Sequence, residues 1–250
     1  MSEPDRGANP APRAGTVWRL VEDQSRASTM KLVDSLDEQR TLEELLDSSK
    51  PPVPPECRHL HWLLFTPFRY AARGDSRFRR AGATPGVFYA AERVGTAVAE
   101  LAFWRLLFFL ESPGTPWPAN PQLLTAFSAD YATDRCLDLT APPHDAEAAR
   151  WTHPTDYAPC HAIADHARAE GCGAIRSASA RDPEGGVNIS LLGCAAFASH
   201  EPTARTRWRL KLGPAGVIAL AEDGQGRFFG RDVFARDPRI AAADWDRPAR

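Results

Sequence analysis

Apolar positions change their spacing several times along the chain, and each change predicts an element. Residues 16–20 (TVWRL) are a short apolar run with Arg19 inside it and predict a strand. From 26 to 46 the apolar residues Met30, Val33, Leu36, Leu42, Leu45 and Leu46 recur at helical intervals among Asp and Glu, which predicts a helix with a solvated outer face. The proline-rich stretch 48–56 breaks that pattern, and 59–65 (HLHWLLF) reads as a buried apolar segment. A strand follows at 86–91 (GVFYAA), then a helix over 95–111 with Thr96 as its start signal. Beyond a Pro-rich loop at 112–122, TAFSADYA and CLDLT read as two strands, and 141–157 as a long loop. Residues 159–170 predict a helix ended by Gly171, a residue suited to a left-handed C-terminal cap. The runs AIRSAS (174–179) and VNISLL (187–192) flank the turn RDPEGG and predict a hairpin; TRWRLKL (206–212) and GVIALAE (216–222) predict two more strands across a Gly-Pro turn.

Strands and helices alternate without regular βαβ spacing, so the expected class is α+β, a mixed sheet core with flanking helices. The polar, Pro/Gly-rich residues 1–15 read as a disordered lead, 16–235 as one domain with 21–70 as a helical insertion, and 236–250 as a loosely held polar tail. The apolar strands 206–212 and 216–222 are open to two readings, core or interface, so homo-oligomer formation stays open.

At 250 residues the chain is long enough to bury a sizeable core, and 43% hydrophobic with 25% charged residues is ordinary for a globular protein. A net charge of −2 provides no global attraction to nucleic acid, and no direct nucleic-acid partner is expected. The longest apolar stretch, 101–110, contains Arg105 and falls short of the ~20 residues a membrane span needs, so no membrane partner is expected either. No apolar leader segment opens the chain, and the five cysteines (Cys57, Cys136, Cys160, Cys172 and Cys194) are scattered without CxxC spacing. A reduced, cytoplasmic protein without a disulfide framework or zinc site is the simplest expectation. His161 and His166 lack the spacing and the adjacent glutamate of a zinc helix, so no metal is expected. The absence of GxGxxG after a strand, and of GxxxxGK[ST], removes the usual support for a Rossmann or P-loop nucleotide site.

The chemically loaded stretch is 74–100, with Arg77, Tyr89 and Glu100. Arg19 is either a solvated strand arginine or a guanidinium that holds a phosphate from a cleft wall. The basic run 76–80 (SRFRR), flanked by Gly74 and Gly82, reads as solvated surface or as a phosphate-binding loop. Tyr89 is a core residue or an aromatic platform. Glu100 lies among apolar neighbours and calls for a partner, with Arg77 and Arg19 as candidates. Ser179 ends its strand, either to start the turn or to offer its hydroxyl to a ligand; no G-x-S-x-G surrounds it.

These blocks, VWRL with Arg19, SRF with Arg77, GVFYAAERVGTAVAEL with Tyr89 and Glu100, WTHPTDYAPCHAIADHA, and IRSASARDPEGGVNISLL with Ser179, together resemble the RES-domain family over about residues 16–198. The resemblance implies a fold like that of diphtheria-toxin-type ADP-ribosyltransferases, with NAD as the substrate. It also implies a toxin of a type II toxin–antitoxin pair that cleaves NAD at the nicotinamide–ribose bond, by phosphorolysis or hydrolysis. Transfer of ADP-ribose to a cellular protein is the alternative, and a helix-turn-helix antitoxin is the implied partner. On that resemblance Arg19 and Arg77 hold the pyrophosphate or an incoming phosphate, and Tyr89 flanks the nicotinamide ring. Glu100, kept ionised by a nearby arginine, binds the ribose and stabilises positive charge on it; Ser179 orients the ribose or the acceptor. The chain departs from the family pattern at Ser177, where a tyrosine is expected, and at His161, where a glutamine is expected. Some relatives carry a serine at Ala158. A catalytically degenerate, partner-binding module is therefore a third reading. The segment 21–70 is also longer than the resemblance implies.

Overall fold

The computed structural model describes residues 10–23, 32–112 and 114–245. Within them the strands are β1 (Ala11–Glu22), β2 (Phe88–Ala91), β3 (Gln122–Asp138), β4 (Ala174–Ala178), β5 (Val187–Leu191), β6 (Ala204–Gly213), β7 (Gly216–Ala221) and β8 (Gly226–Gly230). The helices are α1 (Leu36–Ser48), α2 (Trp62–Arg69), α3 (Val94–Leu110), α4 (Ala148–Trp151), α5 (Ala158–Ala169) and α6 (Pro238–Ala241). The strands join in the order β1-β2-β5-β4-β3-β6-β7-β8. The β3–β4 pairing is parallel and the others are antiparallel, so the class is α+β with a mixed sheet.

Because β1 bonds to both β2 and β3, the strands β1, β2, β5, β4 and β3 close on themselves. The closure is long on one side, where β1 follows β3 from Ala11↔Cys136 to Glu22↔Leu124. On the other side β1 and β2 share the single register pair Trp18↔Ala91, and the two strands part there. Three buried clusters support this frame. α3 packs with Phe229, Phe234 and Trp245 over the β6–β7–β8 end; α2 packs with Phe88, Phe127 and Ile189; α5 packs with Leu137 and Ile175. Each fully buried aliphatic or aromatic side chain contributes about 1.5–3 kcal/mol.

Several elements differ from their sequence expectation. β1 begins inside the stretch read as a disordered lead, because its backbone pairs with β3 and Arg13 reaches Asp138 at 2.9 Å; residues 1–9 lie outside the described residues. TAFSADYA and the start of CLDLT lie on one 17-residue strand, since pairing with β1 resumes at Cys136 past a bulge at Asp134 and Arg135. α1 starts at Leu36, capped by Ser35, and buries no residue; the part of its expected range at 26–31 is outside the described residues. α3 is not capped by Thr96: it starts after Arg93, and Thr96 is buried, with its hydroxyl donating to Asp182 Oδ2 at 2.7 Å. β8 has no counterpart in the sequence reading, because glycines at both ends of GRFFG hide its alternation. On β6 and β7 alternate residues, Trp208, Leu210, Val217 and Ala219, are core, whereas Ile218 and Leu220 are exposed.

The tail is not loosely held over its described part. Asp237, Ile240 and Trp245 are buried, and Asp237 forms an ion pair with Arg181 at 3.0 Å. The expectation of unpaired cysteines is corrected as well: Cys57 and Cys194 form a disulfide, with Cα atoms 5.4 Å apart and a sequence separation of 137. No local spacing can reveal a partner that only the fold brings near. The bridge ties the turn before α2 (Pro55–Cys57) to the turn after β5 (Cys194–Ala196). Behind α2, Gly86 lies so close to the Pro67 carbonyl that any Cβ there would overlap it. Among the described residues no helix is long and apolar enough to cross a membrane.

Candidate active site

A cavity of about 280 Å³ opens between α3, the ends of β1, β2, β4 and β5, and the loop at 76–78. Four of the five residues singled out in the sequence, Arg19, Arg77, Tyr89 and Glu100, line it together; Ser179 does not. Ser179 stands behind Glu100 and donates its hydroxyl to Glu100 Oε1 at 2.7 Å. The expectation that Ser179 faces the ligand is therefore revised, because the chain turns away at the end of β4 and carries the hydroxyl toward α3.

Glu100 projects from α3, and its Oε1 also accepts from Asn188 Nδ2 at 2.6 Å. No arginine among the described residues pairs with it, so the expected cationic partner is replaced by two neutral donors on β5 and the β4–β5 turn. Both donors use Oε1, which leaves Oε2 without a protein hydrogen bond among the described residues, on a side chain that lines the cavity. The turn that carries Ser179 is itself clamped. Asp182, buried, takes Thr96 of α3 and Arg227 of β8, and a Cβ at Gly186 would overlap both Thr96 and Asp182.

Arg19 sits where β1 and β2 part. Its Nη1 donates to the Tyr89 carbonyl at 2.8 Å, and its guanidinium lies 5.0 Å over the Phe88 ring. Burial pulls its pKa down to about 10, so it remains a cation at neutral pH but a poorly solvated one. Arg77 reaches across the cavity wall, donating to the Trp151 carbonyl at 2.6 Å and the His153 carbonyl at 3.1 Å, with its guanidinium 5.1 Å over the Tyr157 ring. Among the described residues neither Arg19 nor Arg77 meets a carboxylate. Arg80 of the same basic loop, by contrast, is a surface residue paired with Asp165.

The Tyr89 ring lines the cavity while its hydroxyl anchors the loop at 76–78, sharing a hydrogen bond with Ser76 Oγ at 2.8 Å and accepting from Phe78 N at 3.0 Å. Burial raises its pKa, against the pull of those bonds and of Arg79 and Arg77, so it stays a neutral phenol. His161, buried on α5, supports the same loop from behind through Ser76 O at 2.9 Å.

Among the polar cavity residues that the sequence does not single out as site residues are Asn188, Arg181, Ser177 and Ser190. Asn188 and Ser190 are two apart on β5, and Ser177 is the register partner of Asn188, so the strand alternation of VNISLL and AIRSAS held the signal for three of them. The hydroxyls of Ser177 and Ser190 are buried without a hydrogen-bond partner. An unsatisfied buried polar group costs about 1–3 kcal/mol, so both favour a polar ligand or water in the cavity. Arg181 is a different kind of cation. Its charge is answered by Asp237 at 3.0 Å, and its guanidinium packs 3.7 Å over the Phe103 ring. Among the described residues no group of three or more His, Cys, Asp or Glu gathers as metal ligands.

The arrangement suits an anionic, ring-bearing ligand with a hydroxylated centre: two uncompensated guanidiniums, an aromatic wall, buried hydroxyls and one oriented carboxylate. No curated protein matches the chain. Among solved structures it is similar to a chain in the crystal structure of the M. tuberculosis MbcT–MbcA toxin–antitoxin complex, at 14% identity. That likeness covers 81% of this chain and 87% of the other, with a TM-score of 0.46. A family model described as RES domain matches residues 53–213, which is more than half of the chain and includes Arg77, Tyr89, Glu100 and Ser179. Arg19 precedes the matched span, and its place at the cavity comes from the pairing of β1 with β2 and β3. With the match across that length, the chain belongs to the RES domain family.

Proposed function

We propose that the cavity binds NAD and cleaves its nicotinamide–ribose bond, with phosphate or water as the acceptor. The observation that carries this reading is the Glu100 carboxylate, held through Oε1 by Ser179 and Asn188 and open at Oε2, beside Arg19 and Arg77. Breaking the C1′–N bond sends its electron pair to the pyridinium nitrogen, so nicotinamide leaves neutral and positive charge gathers on the ribose. That state resembles the oxocarbenium ion of glycoside cleavage, and a fixed carboxylate stabilises it. An oxygen of phosphate or water then bonds to C1′, giving ADP-ribose 1″-phosphate, or ADP-ribose and a proton.

In this scheme Oε2 of Glu100 meets the ribose hydroxyls and the developing charge. Arg19 and Arg77 answer the diphosphate or the incoming phosphate. The Tyr89 ring flanks the nicotinamide, and Ser177 and Ser190 offer hydroxyls to polar atoms of the bound half-molecule. Ser179 is a positioning residue that acts through Glu100. Membership of the RES domain family supports a toxin role in a toxin–antitoxin pair, with a helix-turn-helix antitoxin as the partner.

The test is NAD consumption by the purified protein and by Glu100→Ala, with and without phosphate. Loss of NAD by wild type alone supports the reading, and the products separate phosphorolysis from hydrolysis. Labelled protein that forms only when cell lysate is added would favour ADP-ribosyl transfer instead. Growth inhibition and NAD levels that are the same for wild type and Glu100→Ala would sink both enzymatic readings in favour of a partner-binding module.

A further inference from the structure

The cavity at Glu100 holds about 280 Å³, at the low end of the roughly 300–1,000 Å³ typical of small-molecule sites. It has room for one nucleoside half of a dinucleotide, not for two. A second cavity, of about 360 Å³, shares Arg19 and Tyr89 with it and lies on the α2 side of the place where β1 and β2 part. Resting on the dinucleotide reading, we propose that this second cavity is the other half of the substrate site and takes the nucleoside at the far end of the diphosphate.

Three features of the second cavity point to an aromatic, anion-linked ligand. Trp62, Thr66 and Tyr70 line it at four-residue intervals, which puts them on one face of α2 and its C-terminal end. Leu64 and Phe68 are buried on the opposite side, so α2 is fixed with the Trp62 and Thr66 face outward, and buried Leu63 adds to the cavity wall. Trp62 and Tyr70 remain 45% and 38% exposed, flat surfaces that the chain itself leaves uncovered. The cations at the junction are likewise unanswered: Arg19 and Arg79 bond to the carbonyls of Tyr89, Ala83 and Tyr70, and neither meets a carboxylate among the described residues. A diphosphate that crosses the opening between β1 and β2 would meet both arginines, with one ribose at Glu100 and the other base against Trp62 and Tyr70. The Cys57–Cys194 bridge, just before α2, holds this platform to the sheet.

The test combines binding and kinetics on the full chain. Adenosine monophosphate, which carries only the far half, is titrated by calorimetry into wild type, Trp62→Ala, Tyr70→Ala and Trp62→Phe. The expected result is binding by wild type, weakening on the order of tenfold in each alanine variant, as for the loss of one base–aromatic stack, and recovery in Trp62→Phe. In turnover, Trp62→Ala should raise KM for NAD on the order of tenfold more than KM for nicotinamide mononucleotide. NAD turnover with no binding of adenosine monophosphate, and with the same KM for NAD in Trp62→Ala, would overturn the subsite and leave the proposed function standing. Absence of NAD turnover in wild type would instead overturn the proposed function; the adenosine monophosphate titration then decides the cavity alone, and lack of binding there leaves α2 as a surface for another protein.

Discussion

The Ser179 hydroxyl donates to Glu100 Oε1 at 2.7 Å and accepts from the backbone N–H groups of Arg181 and Asp182 at 3.1 and 3.0 Å. A serine hydroxyl has one donor and two acceptor sites, so this one is saturated within the protein. It therefore transmits the geometry of the β4–β5 turn to the carboxylate on α3. Ser179→Ala should cost about 1.5–3 kcal/mol, as for a hydrogen bond to a charged group, and lower kcat with little change in KM. Thermal melts and steady-state kinetics on one preparation check it; an unchanged kcat would remove Ser179 from the catalytic apparatus.

Glu100→Gln should affect rate and not folding, since the amide keeps an oxygen that accepts from Ser179 and Asn188. Glu100→Gln should reduce NAD turnover by about 10²–10³, the usual loss of a preorganised electrostatic group, and leave Tm close to wild type. Asn188→Asp sets a second carboxylate against Oε1 and should also reduce turnover, more steeply as pH rises from 4 to 6 and that carboxylate ionises.

Arg181 and Asp237 form an ion pair at 3.0 Å with side chains almost wholly out of water, so each protects the other from an uncompensated buried charge. Asp237→Ala should destabilise the fold by about 3–5 kcal/mol. At about 2–4 °C per kcal/mol for a chain of this size, Tm falls by roughly 6–20 °C. The double variant Arg181→Leu with Asp237→Leu should lose less than the sum of the single changes, and a double-mutant cycle by calorimetry measures the difference. Strict additivity would contradict the pairing.

Acid should act through the same residue and through Asp182. Burial alone would raise both carboxyls. Arg239 and Arg181 at Asp237, and Thr96, the Glu184 N–H and Arg227 at Asp182, hold both below the usual carboxylate value. With the folded pKa under the unfolded one, their stabilisation is complete above about pH 4–5 and is lost as pH falls through the folded values. Tryptophan fluorescence during acid titration should show unfolding below about pH 4, with a shallower pH dependence in Asp237→Asn.

Reduction of Cys57–Cys194 should cost about 2–4 kcal/mol, because the bridge closes a loop that spans more than half of the chain. Melting with and without reductant should separate by several degrees in wild type and coincide in Cys57→Ala/Cys194→Ala. A reductant-dependent shift that persists in the double variant would assign the effect elsewhere.

Much of this protein is legible without coordinates. The apolar runs in AIRSAS, VNISLL and LAFWRLLFFL predict β4, β5 and α3 close to where they stand, because those segments bury most of their own side chains. The residue types at Arg19, Arg77, Tyr89 and Glu100 also carry their chemistry in the sequence, and all four reach one cavity. Segments whose order comes from distant partners are not legible in this way. Residues 11–15 looked disordered until β3 lay beside them, and the tail looked loose until Arg181 drew Asp237 into the core. Cys57 and Cys194 looked unpaired, and Glu100 was expected to meet an arginine when it meets Ser179 and Asn188. Local pattern thus determined which residues carry charge, aromatic surface and hydroxyls, and on which element each one sits. Only the tertiary structure decided which of them touch, because ion pairs, disulfides and hydrogen bonds act over a few ångströms of space, whatever their separation along the chain.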